Sequence, residues 1–300
     1  MEKTGNEYKA CSRDEVNFHL TLRRFSIFGD DAANAFDGRV FRKIFEYAGA
    51  LFLLSIYEKD AGVYYSIGPD PAGDEDVLQE AKRLVGQILG LQFSLPEFYA
   101  FAKSDPIIHE HVRQFQGLRP TLSATGFEML VTSITAQQIN LKFAFTTRSR
   151  MIRKFGKTFE KNGAIYYVFP TPERLADAKI EQLREMQFSN RKAEYVIGLA
   201  RSIVHDGLNL EGFTEKQNDE VFETLMPLRG IGRWSVDWFL ARYLGRGEAF
   251  PSGDLAVRKL VEKHFFDSEK RPEDELRRFA QQRWGKFTNL VVHYLLAGLS

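Results

Sequence analysis

The first part of the chain alternates hydrophobic and polar residues in the way that β-strands do. Residues 16–22 alternate, and residues 51–57 and 63–67 are rich in β-branched and aromatic side chains. Because alternation places successive side chains on opposite faces of a sheet, these segments are predicted to be strands. Residues 74–89 instead repeat their apolar positions at the spacing of one helix face. Together the segments predict a small α+β domain with an antiparallel sheet over residues 1–105.

From residue 106 onward, apolar residues recur at helical spacing and strand patterns nearly vanish. Phe127 and Ile134 belong to one such helix face. Thr171-Pro172 marks the start of another helix, because proline is preferred at the first helical position. The short run of residues 166–169 is predicted to be a loop or a segment between helices. The pattern predicts a mainly α protein.

A turn with two glycines, placed between two helical runs, is the most informative local motif. The first run ends at Pro227, Gly230 and Gly232 follow, and the second run begins at Trp234. Glycine tolerates positive φ and has no side chain, so another backbone can approach this turn. The free amides at the start of the second helix favour a phosphate oxygen. Asp254 then stands in a turn that opens another helix, and an acid beside a backbone grip indicates chemistry on a nucleotide.

These motifs, taken in order, resemble the helix-hairpin-helix DNA glycosylases, and within them the alkylbase type, DNA-3-methyladenine glycosylase II. The shared signature is the hairpin, a Gly/Pro-rich loop and an aspartate. The resemblance spans roughly residues 110–300, and before that it is one of general layout. The matching pieces are residues 127–138 (FEMLVTSITAQQ), 169–175 (FPTPERL), 228–235 (LRGIGRWS) and 250–254 (FPSGD).

The resemblance implies two helical domains around a cleft, after the N-terminal α+β domain of residues 1–105. Residues 118–245 would form the helical domain with the hairpin, and residues 106–117 with 246–300 the second, which carries Asp254. The implied reaction hydrolyses the N-glycosidic bond of alkylated bases in duplex DNA and leaves an abasic site for base excision repair. Two alternatives stay open: a glycosylase of the same fold for oxidised or mismatched bases, and a non-catalytic helix-hairpin-helix DNA-binding protein.

Asp254 is the predicted catalytic residue. Breaking a base–sugar bond builds positive charge on the sugar, and one carboxylate can stabilise that charge and orient the attacking water. An aspartate after Ser-Gly is also an ordinary helix N-cap, and both roles are compatible. Relatives that also cut the strand have a nucleophilic lysine two residues after the second hairpin glycine. This chain has Trp234 there, which predicts a monofunctional enzyme, and the nearby Lys259 is expected to be solvated.

A base must leave the stack before it is excised, and aromatic walls usually receive it. Trp234 and Trp238 are one helical turn apart and share a face, although either could equally belong to a core. A cationic alkylated purine would gain from stacking on them. Phe127 and Tyr294 complete the predicted base pocket. The family supplies further aromatics where this chain has leucines at residues 295–296, which leaves the substrate range open.

The predicted DNA-binding residues come from the hairpin and from the tip that follows the helix of residues 127–136. In the family an apolar side chain at this tip enters the duplex. Gln138 aligns with this inserted side chain, which we call the wedge, and Ile139 is the apolar alternative. A polar turn between two helices, without a role in binding, is the structural alternative for either residue. The predicted contacts are Gly230, Ile231, Gly232, Arg233, Ser235, Gln137, Gln138 and Ile139.

The formal net charge of +1 gives no global sign of nucleic-acid binding, so the distribution of charge matters more. Residues 129–159 contain no acid but several cations, which beside the hairpin predicts a surface along a duplex, although a solvated helix face is the plain alternative. The cations are Lys142, Arg148, Arg150, Arg153, Lys154 and Lys157.

The remaining totals bound the class of protein. The single cysteine, Cys11, excludes an internal disulfide framework and the four-cysteine iron–sulfur cluster of some relatives. Residues 1–17 are polar and no long apolar run occurs, so neither a signal segment nor a membrane span is expected. We expect an intracellular monomer that binds damaged duplex DNA, cytoplasmic in a prokaryote or nuclear in a eukaryote. No organic cofactor and no side-chain metal site are implied, although relatives hold a monovalent cation on hairpin carbonyls.

Overall fold

The structure is a computed structural model that describes residues 7–299. Its N-terminal part is an antiparallel sheet in the order β1-β5-β4-β3-β2, and one hydrophobic core lies between this sheet and three helices. The strands are β1 (Glu7–Ser12), β2 (Ala35–Phe36), β3 (Val40–Tyr47), β4 (Ala50–Lys59) and β5 (Gly62–Gly68), and the helices are α1 (Phe18–Leu22), α2 (Arg24–Ile27) and α3 (Glu75–Leu89).

The prediction of a strand over residues 16–22 is wrong, because most of this segment is helix α1. The Asn17 side chain accepts a hydrogen bond from the backbone amide of Leu20 at 3.0 Å, which caps a helix start. Phe18 and Leu22 are four residues apart and both are buried, so the helical spacing decides the structure over the alternation. The strands predicted at 51–57 and 63–67 lie within β4 and β5, and are confirmed.

The rest of the described chain is mainly helical, which confirms the predicted fold class. The helices are α4 (Leu95–Ala102), α5 (Pro106–Gln114), α6 (Gly126–Ala136), α7 (Leu141–Phe155), α8 (Pro172–Ala176), α9 (Ile180–Glu185), α10 (Asn190–Val204), α11 (Asn218–Leu225), α12 (Arg233–Arg242), α13 (Leu255–Phe265), α14 (Glu273–Trp284) and α15 (Thr288–Ala297). No helix within residues 7–299 is long and apolar enough to cross a bilayer.

Two further hydrophobic cores lie in this helical part. One is built mostly from residues 127–249, and the other from residues 93–122 together with 250–295. Trp238 packs against both cores, so α12 lies at their junction. The second core already includes Phe93, which precedes the predicted boundary at residue 105, and the domain limits themselves stay a prediction.

The run predicted as a loop near residue 166 is partly a strand. Strand β6 (Thr158–Lys161) pairs with β7 (Ala164–Tyr167) in a two-stranded hairpin. Asn162 and Gly163 form its turn with φ of +53° and +74°. Two successive positive φ values suit the tight turns whose twist matches antiparallel strands. The Asn-Gly pair therefore indicates a β-hairpin at this position, although the flanking segments are helical.

A group of buried charged and polar side chains joins the N-terminal domain to the helices. Arg148 on α7 donates to Asp31 and to Glu128 of α6, both at 2.7 Å. Lys43 on β3 donates to Glu128 at 3.1 Å and to Asn34 at 3.0 Å. Each of these side chains is at most 6% exposed. We call Asp31, Asn34, Lys43, Glu128 and Arg148 the buried ionic cluster.

The buried ionic cluster holds its charges as pairs. Burial alone would raise the pKa of the Glu128 carboxyl, but Lys43 and Arg148 outweigh burial and keep it below the usual range. Since Glu128 and Arg148 lie on α6 and α7, the cluster fixes the two helices that enclose residues 137–140, the tip. Arg148 therefore does not line a duplex, although it belongs to the basic run of the sequence.

Candidate active site

The hairpin between α11 and α12 uses its two glycines for different purposes. Gly230 has φ of +87°, and an added Cβ would lie 2.3 Å from the ring of Tyr195. Gly232 has ordinary backbone dihedrals, caps the start of α12, and would have nothing within 4 Å of an added Cβ. Gly230 is therefore required by packing, whereas Gly232 leaves open space at a helix N-terminus, where backbone amides favour an anion.

The tip is bonded directly to the hairpin. The side-chain amide of Gln137 donates to the Gly230 carbonyl at 2.8 Å and to the Ser235 hydroxyl at 3.3 Å. The Lys192 ammonium donates to the carbonyls of Thr135 and Gln137 at 2.8 and 2.7 Å. Gln137 therefore links the tip to the hairpin. Lys192 positions the tip, a role that the sequence did not reveal.

The predicted DNA-contact residues differ in their exposure. Gln138 is exposed with φ of +57°, and Ile139 is half-buried, so both stay candidates for the wedge. Arg233 is exposed beside Gly232, with its guanidinium 5.0 Å above the ring of Phe222. The side chains of Ile231 and Ser235 are buried, Ile231 at 5% exposed and Ser235 fully, with the Ser235 hydroxyl accepting a hydrogen bond from Ser133. Their predicted contacts with DNA could therefore be made only by the backbone, and stay a prediction.

The carboxylate of Asp254 accepts four N–H donors. Its Oδ1 accepts from the amides of Ala256 and Val257 at 3.0 and 3.2 Å, which makes Asp254 the N-cap of α13. Its Oδ2 accepts from the indole nitrogens of Trp234 at 3.0 Å and Trp238 at 3.3 Å. The capping role and the position beside the two tryptophans are therefore found together.

All four donors to Asp254 are electrically neutral. Two are backbone amides and two are indoles, so they fix the orientation of the carboxylate without cancelling its charge. The side chain is half-buried, which leaves it partly open to a ligand. A fixed anion with an uncompensated charge can stabilise a positive charge that develops next to it.

Of the four residues predicted to line a base pocket, the structure brings only the tryptophans to Asp254. Phe127 is 4% exposed and packs its ring edge-on to Phe169 in the core built mostly from residues 127–249. Tyr294 is completely buried, and its hydroxyl donates to the Leu118 carbonyl at 2.9 Å. Both belong to hydrophobic cores, and packing there is enough to explain their apolar helix positions. Their place in a base pocket stays a prediction.

A second set of charged side chains holds the loop of residues 250–254 against α12. Arg277 on α14 donates to both oxygens of the buried Asp237, at 3.1 and 2.9 Å, and also to the Ser252 hydroxyl. Ser252 in turn donates to Glu273 at 2.7 Å. Burial raises the pKa of Asp237, although Arg277 opposes the rise. Sequence reasoning missed this set, although an acid between two tryptophans on one helix could have indicated a cationic partner.

The remaining sequence predictions concern Lys259, a metal site and a cation at the hairpin. Lys259 is exposed, as expected. Within residues 7–299 no group of three or more histidine, cysteine or acidic side chains could hold a metal ion. The Gly230 carbonyl already accepts from Gln137, and that of Leu228 from the amide of Ile231, so a hairpin cation stays a prediction. A surface hollow of about 630 Å³ lies between α1, α2 and α5, and none of the predicted site residues lines it.

Comparison with known proteins agrees with this geometry. The family model of the HhH-GPD superfamily of base excision DNA repair proteins matches residues 131–286. A DNA-3-methyladenine glycosylase of Bacillus subtilis is 33% identical over 179 residues, which are 60% of this chain and 59% of the relative. The chain therefore spans somewhat more than half the length of this curated relative.

One solved structure extends the likeness to nearly the whole chain. A 3-methyladenine DNA-glycosylase from Archaeoglobus fulgidus shares 28% identity, with 97% of both chains covered and a TM-score of 0.85. A 3-methyladenine DNA glycosylase of Schizosaccharomyces pombe, in complex with abasic DNA, has the same fold at 24% identity and a TM-score of 0.56, over 66% of this chain and 94% of that one. Since the matched family model covers more than half of the residues and includes the hairpin and Asp254, the chain belongs to the HhH-GPD superfamily of base excision DNA repair proteins.

Proposed function

We propose that this protein is a monofunctional DNA glycosylase that removes alkylated bases of the 3-methyladenine type from duplex DNA by hydrolysis. The observation that carries the proposal is Asp254, a carboxylate oriented by four neutral donors beside two indoles. The names of the relatives from Bacillus subtilis and Archaeoglobus fulgidus support the substrate class. Capping of α13 uses only Oδ1 of Asp254, and a non-catalytic DNA-binding protein would not need the two indoles on Oδ2.

In the proposed reaction the bond between C1′ of the sugar and the base nitrogen breaks, and its electron pair leaves with the base. Positive charge develops on the sugar, and the carboxylate of Asp254 stabilises it. A water molecule then forms the new C–O bond at C1′ and releases its proton to Asp254 or to solvent. The products are the free base and an abasic site.

An alkylated base needs no general acid in this scheme. A purine with an added methyl group on a ring nitrogen carries a positive charge, and it becomes neutral when it takes the electron pair. The two indoles beside Asp254 offer electron-rich faces to such a cation. Since Trp234 replaces the lysine that strand-cutting relatives use, no Schiff base is expected.

The hairpin and the tip are proposed to hold the duplex. Open space at Gly232 and the exposed Arg233 suit a backbone phosphate, and Gln138 or Ile139 would fill the gap left by the displaced base. A monomer is sufficient, because the carboxylate, the indoles and the grip come from one chain. We also propose an intracellular location, and a monovalent cation at the hairpin as a further support of phosphate binding.

The test is a panel of duplexes that each carry one lesion, incubated with the protein and then treated with alkali to cut at abasic sites. Cleavage at 7-methylguanine or 3-methyladenine after alkali, with little before it, is expected. Borohydride during turnover should trap no covalent adduct. Tight binding to every duplex without any alkali-sensitive site would contradict the proposal and favour a binding protein.

A further inference from the structure

Arg242 is the last residue of α12 and continues the face of the two tryptophans. It stands one helical turn after Trp238, and its guanidinium carbon lies 5.4 Å from the centre of that ring. The same indole donates to Asp254 at 3.3 Å. The indole of Trp238 therefore contacts the carboxylate of Asp254 through its nitrogen and the guanidinium of Arg242 through its face.

The hydrogen bonds of Arg242 are incomplete. One terminal nitrogen, Nη2, donates to Nδ1 of His293 at 2.9 Å. Since that histidine nitrogen accepts, its Nε2 carries the proton and donates to the Arg119 carbonyl at 3.1 Å, which describes a neutral imidazole. The other nitrogen, Nη1, is buried and has no hydrogen-bond partner among the described residues. Within residues 7–299 the guanidinium also has no carboxylate partner, which is unusual for a buried cation.

The charge around Arg242 is positive. Burial and the neighbouring Arg24 lower the pKa of Arg242 to about 9, so the guanidinium is still cationic at neutral pH. Burial, Arg242 and Arg24 also lower the pKa of His293 well below its usual value. Arg24 comes from α2 of the N-terminal domain and donates to the Thr121 hydroxyl at 2.9 Å. Two arginines from different domains thus meet where an electronegative atom would be stabilised.

We infer that Arg242 is a specificity-determining residue, whose Nη1 donates to an exocyclic oxygen or a ring nitrogen on the far edge of the displaced base. An indole and a purine are of similar length. In the inferred arrangement the base lies along Trp238, with its glycosidic bond beside Asp254 and its far edge near Arg242. The inference rests on the proposed function and extends it to neutral bases that carry a carbonyl oxygen.

The chemistry of a neutral leaving base explains what the guanidinium contributes. When the bond from C1′ to N9 of hypoxanthine breaks, the base takes the electron pair and becomes an anion, with its charge shared by the 6-oxygen. A donor that carries positive charge stabilises that oxygen more in the transition state than in the bound substrate. Water adds to C1′ as before, and its proton neutralises the base. A cationic alkylated base gains nothing from Arg242, because it leaves as a neutral molecule.

The experiment compares single-turnover excision of hypoxanthine and of 7-methylguanine from otherwise identical duplexes. We expect Arg242→Met to slow hypoxanthine excision on the order of tenfold to a hundredfold, and to leave 7-methylguanine excision nearly unchanged or faster. Arg242→Lys keeps the charge and should retain part of the hypoxanthine rate. Arg271→Met is the matched control, because Arg271 also stacks on an aromatic ring, at 5.0 Å from Phe266, but has carboxylate partners.

Thermal unfolding of each variant shows whether the fold survives, and Arg242→Lys keeps the test decisive if Arg242→Met unfolds. Equal loss on both lesions by a folded Arg242 variant would show that Arg242 only supports Trp238, and would overturn the inference. Excision of 7-methylguanine but not hypoxanthine by the unmodified protein would also overturn it. If the unmodified protein excises neither base nor any other lesion of the panel, the proposed function itself fails.

Discussion

Asp254 and Glu128 are carboxylates on neighbouring parts of one helical scaffold, yet they are surrounded in opposite ways. Asp254 is half-buried, and its donors are amides and indoles. Glu128 is 4% exposed, and two of its donors are the cations Arg148 and Lys43. Both carboxylates are well hydrogen-bonded, but only the second has its charge cancelled.

This difference separates the proposed catalytic carboxylate from a structural one. A carboxylate paired with buried cations contributes to the fold, because removing one partner leaves the other buried and uncompensated. A carboxylate held by neutral donors keeps its charge for a reacting centre. Charge of the donors, rather than number of hydrogen bonds, is thus the property that distinguishes the two sites.

Among the variants that test this comparison, Glu128→Gln is expected to have the largest effect. The change keeps the shape of the side chain but leaves Arg148 and Lys43 short of negative charge, so we expect a loss of about 3–5 kcal/mol in unfolding free energy, measured with urea. Molecules that stay folded should excise bases at the normal single-turnover rate. A large loss of rate with unchanged stability would place Glu128 in the chemistry instead.

The same variant has a pH signature. Because the pKa of Glu128 is held below its ordinary value of 4.5, its contribution to stability is complete above that pH and is lost as the pH falls through the lowered value. The difference in stability between the unmodified protein and Glu128→Gln should therefore shrink on acidification below about pH 4.5 and be constant above it.

Asp254→Asn should show the opposite behaviour. Asparagine is as good an N-cap as aspartate, so stability should change by less than about 1 kcal/mol. Excision should fall on the order of a hundredfold or more, because the charge beside the sugar is gone. Binding to a lesion duplex should be kept. Near-normal single-turnover excision would remove Asp254 from the proposed mechanism.

Trp234→Phe sharpens the comparison, since it removes one neutral donor and keeps an aromatic ring. The Oδ2 atom would lose its 3.0 Å partner, and the carboxylate would be less firmly oriented. We expect roughly a tenfold slower excision, in line with the loss of one hydrogen bond to a charged group. Trp284→Phe is the matched control, because that indole nitrogen is buried in the core of residues 93–122 and 250–295, and no described residue hydrogen-bonds it.

The smallest expected effect comes from an added carboxylate, Gly232→Asp. The fold should tolerate it, because an added Cβ would meet nothing within 4 Å. Its charge at the proposed phosphate grip should weaken binding to every duplex on the order of tenfold and flatten the salt dependence. Gly232→Ala should bind normally. Equal affinity of the Asp variant would limit the hairpin to a structural role.

The sequence predicts the helical class and the grouping of Asp254 with the two tryptophans better than the burial of each side chain. Asp254 and the two tryptophans could be found because their motif is local and their spacing fixes a shared face. Phe127 and Tyr294 could not be assigned, since a helical period does not tell a core from a cleft. Arg277 was missed for another reason: its pairing with Asp237 joins α12 to α14, and such a contact depends on packing that no local pattern records.

The hydrogen bond from Gln137 to the Gly230 carbonyl fixes the distance between the tip and the hairpin, and the hydrogen bonds of Lys192 support the tip. A duplex bound by both the tip and the hairpin would have to bend to match that distance. Base steps that bend easily would then be bound more readily than stiff ones. Damaged or mismatched steps unstack at lower cost than intact ones. Damaged sites would then be selected first by how easily the duplex bends there, before any base reaches the indoles.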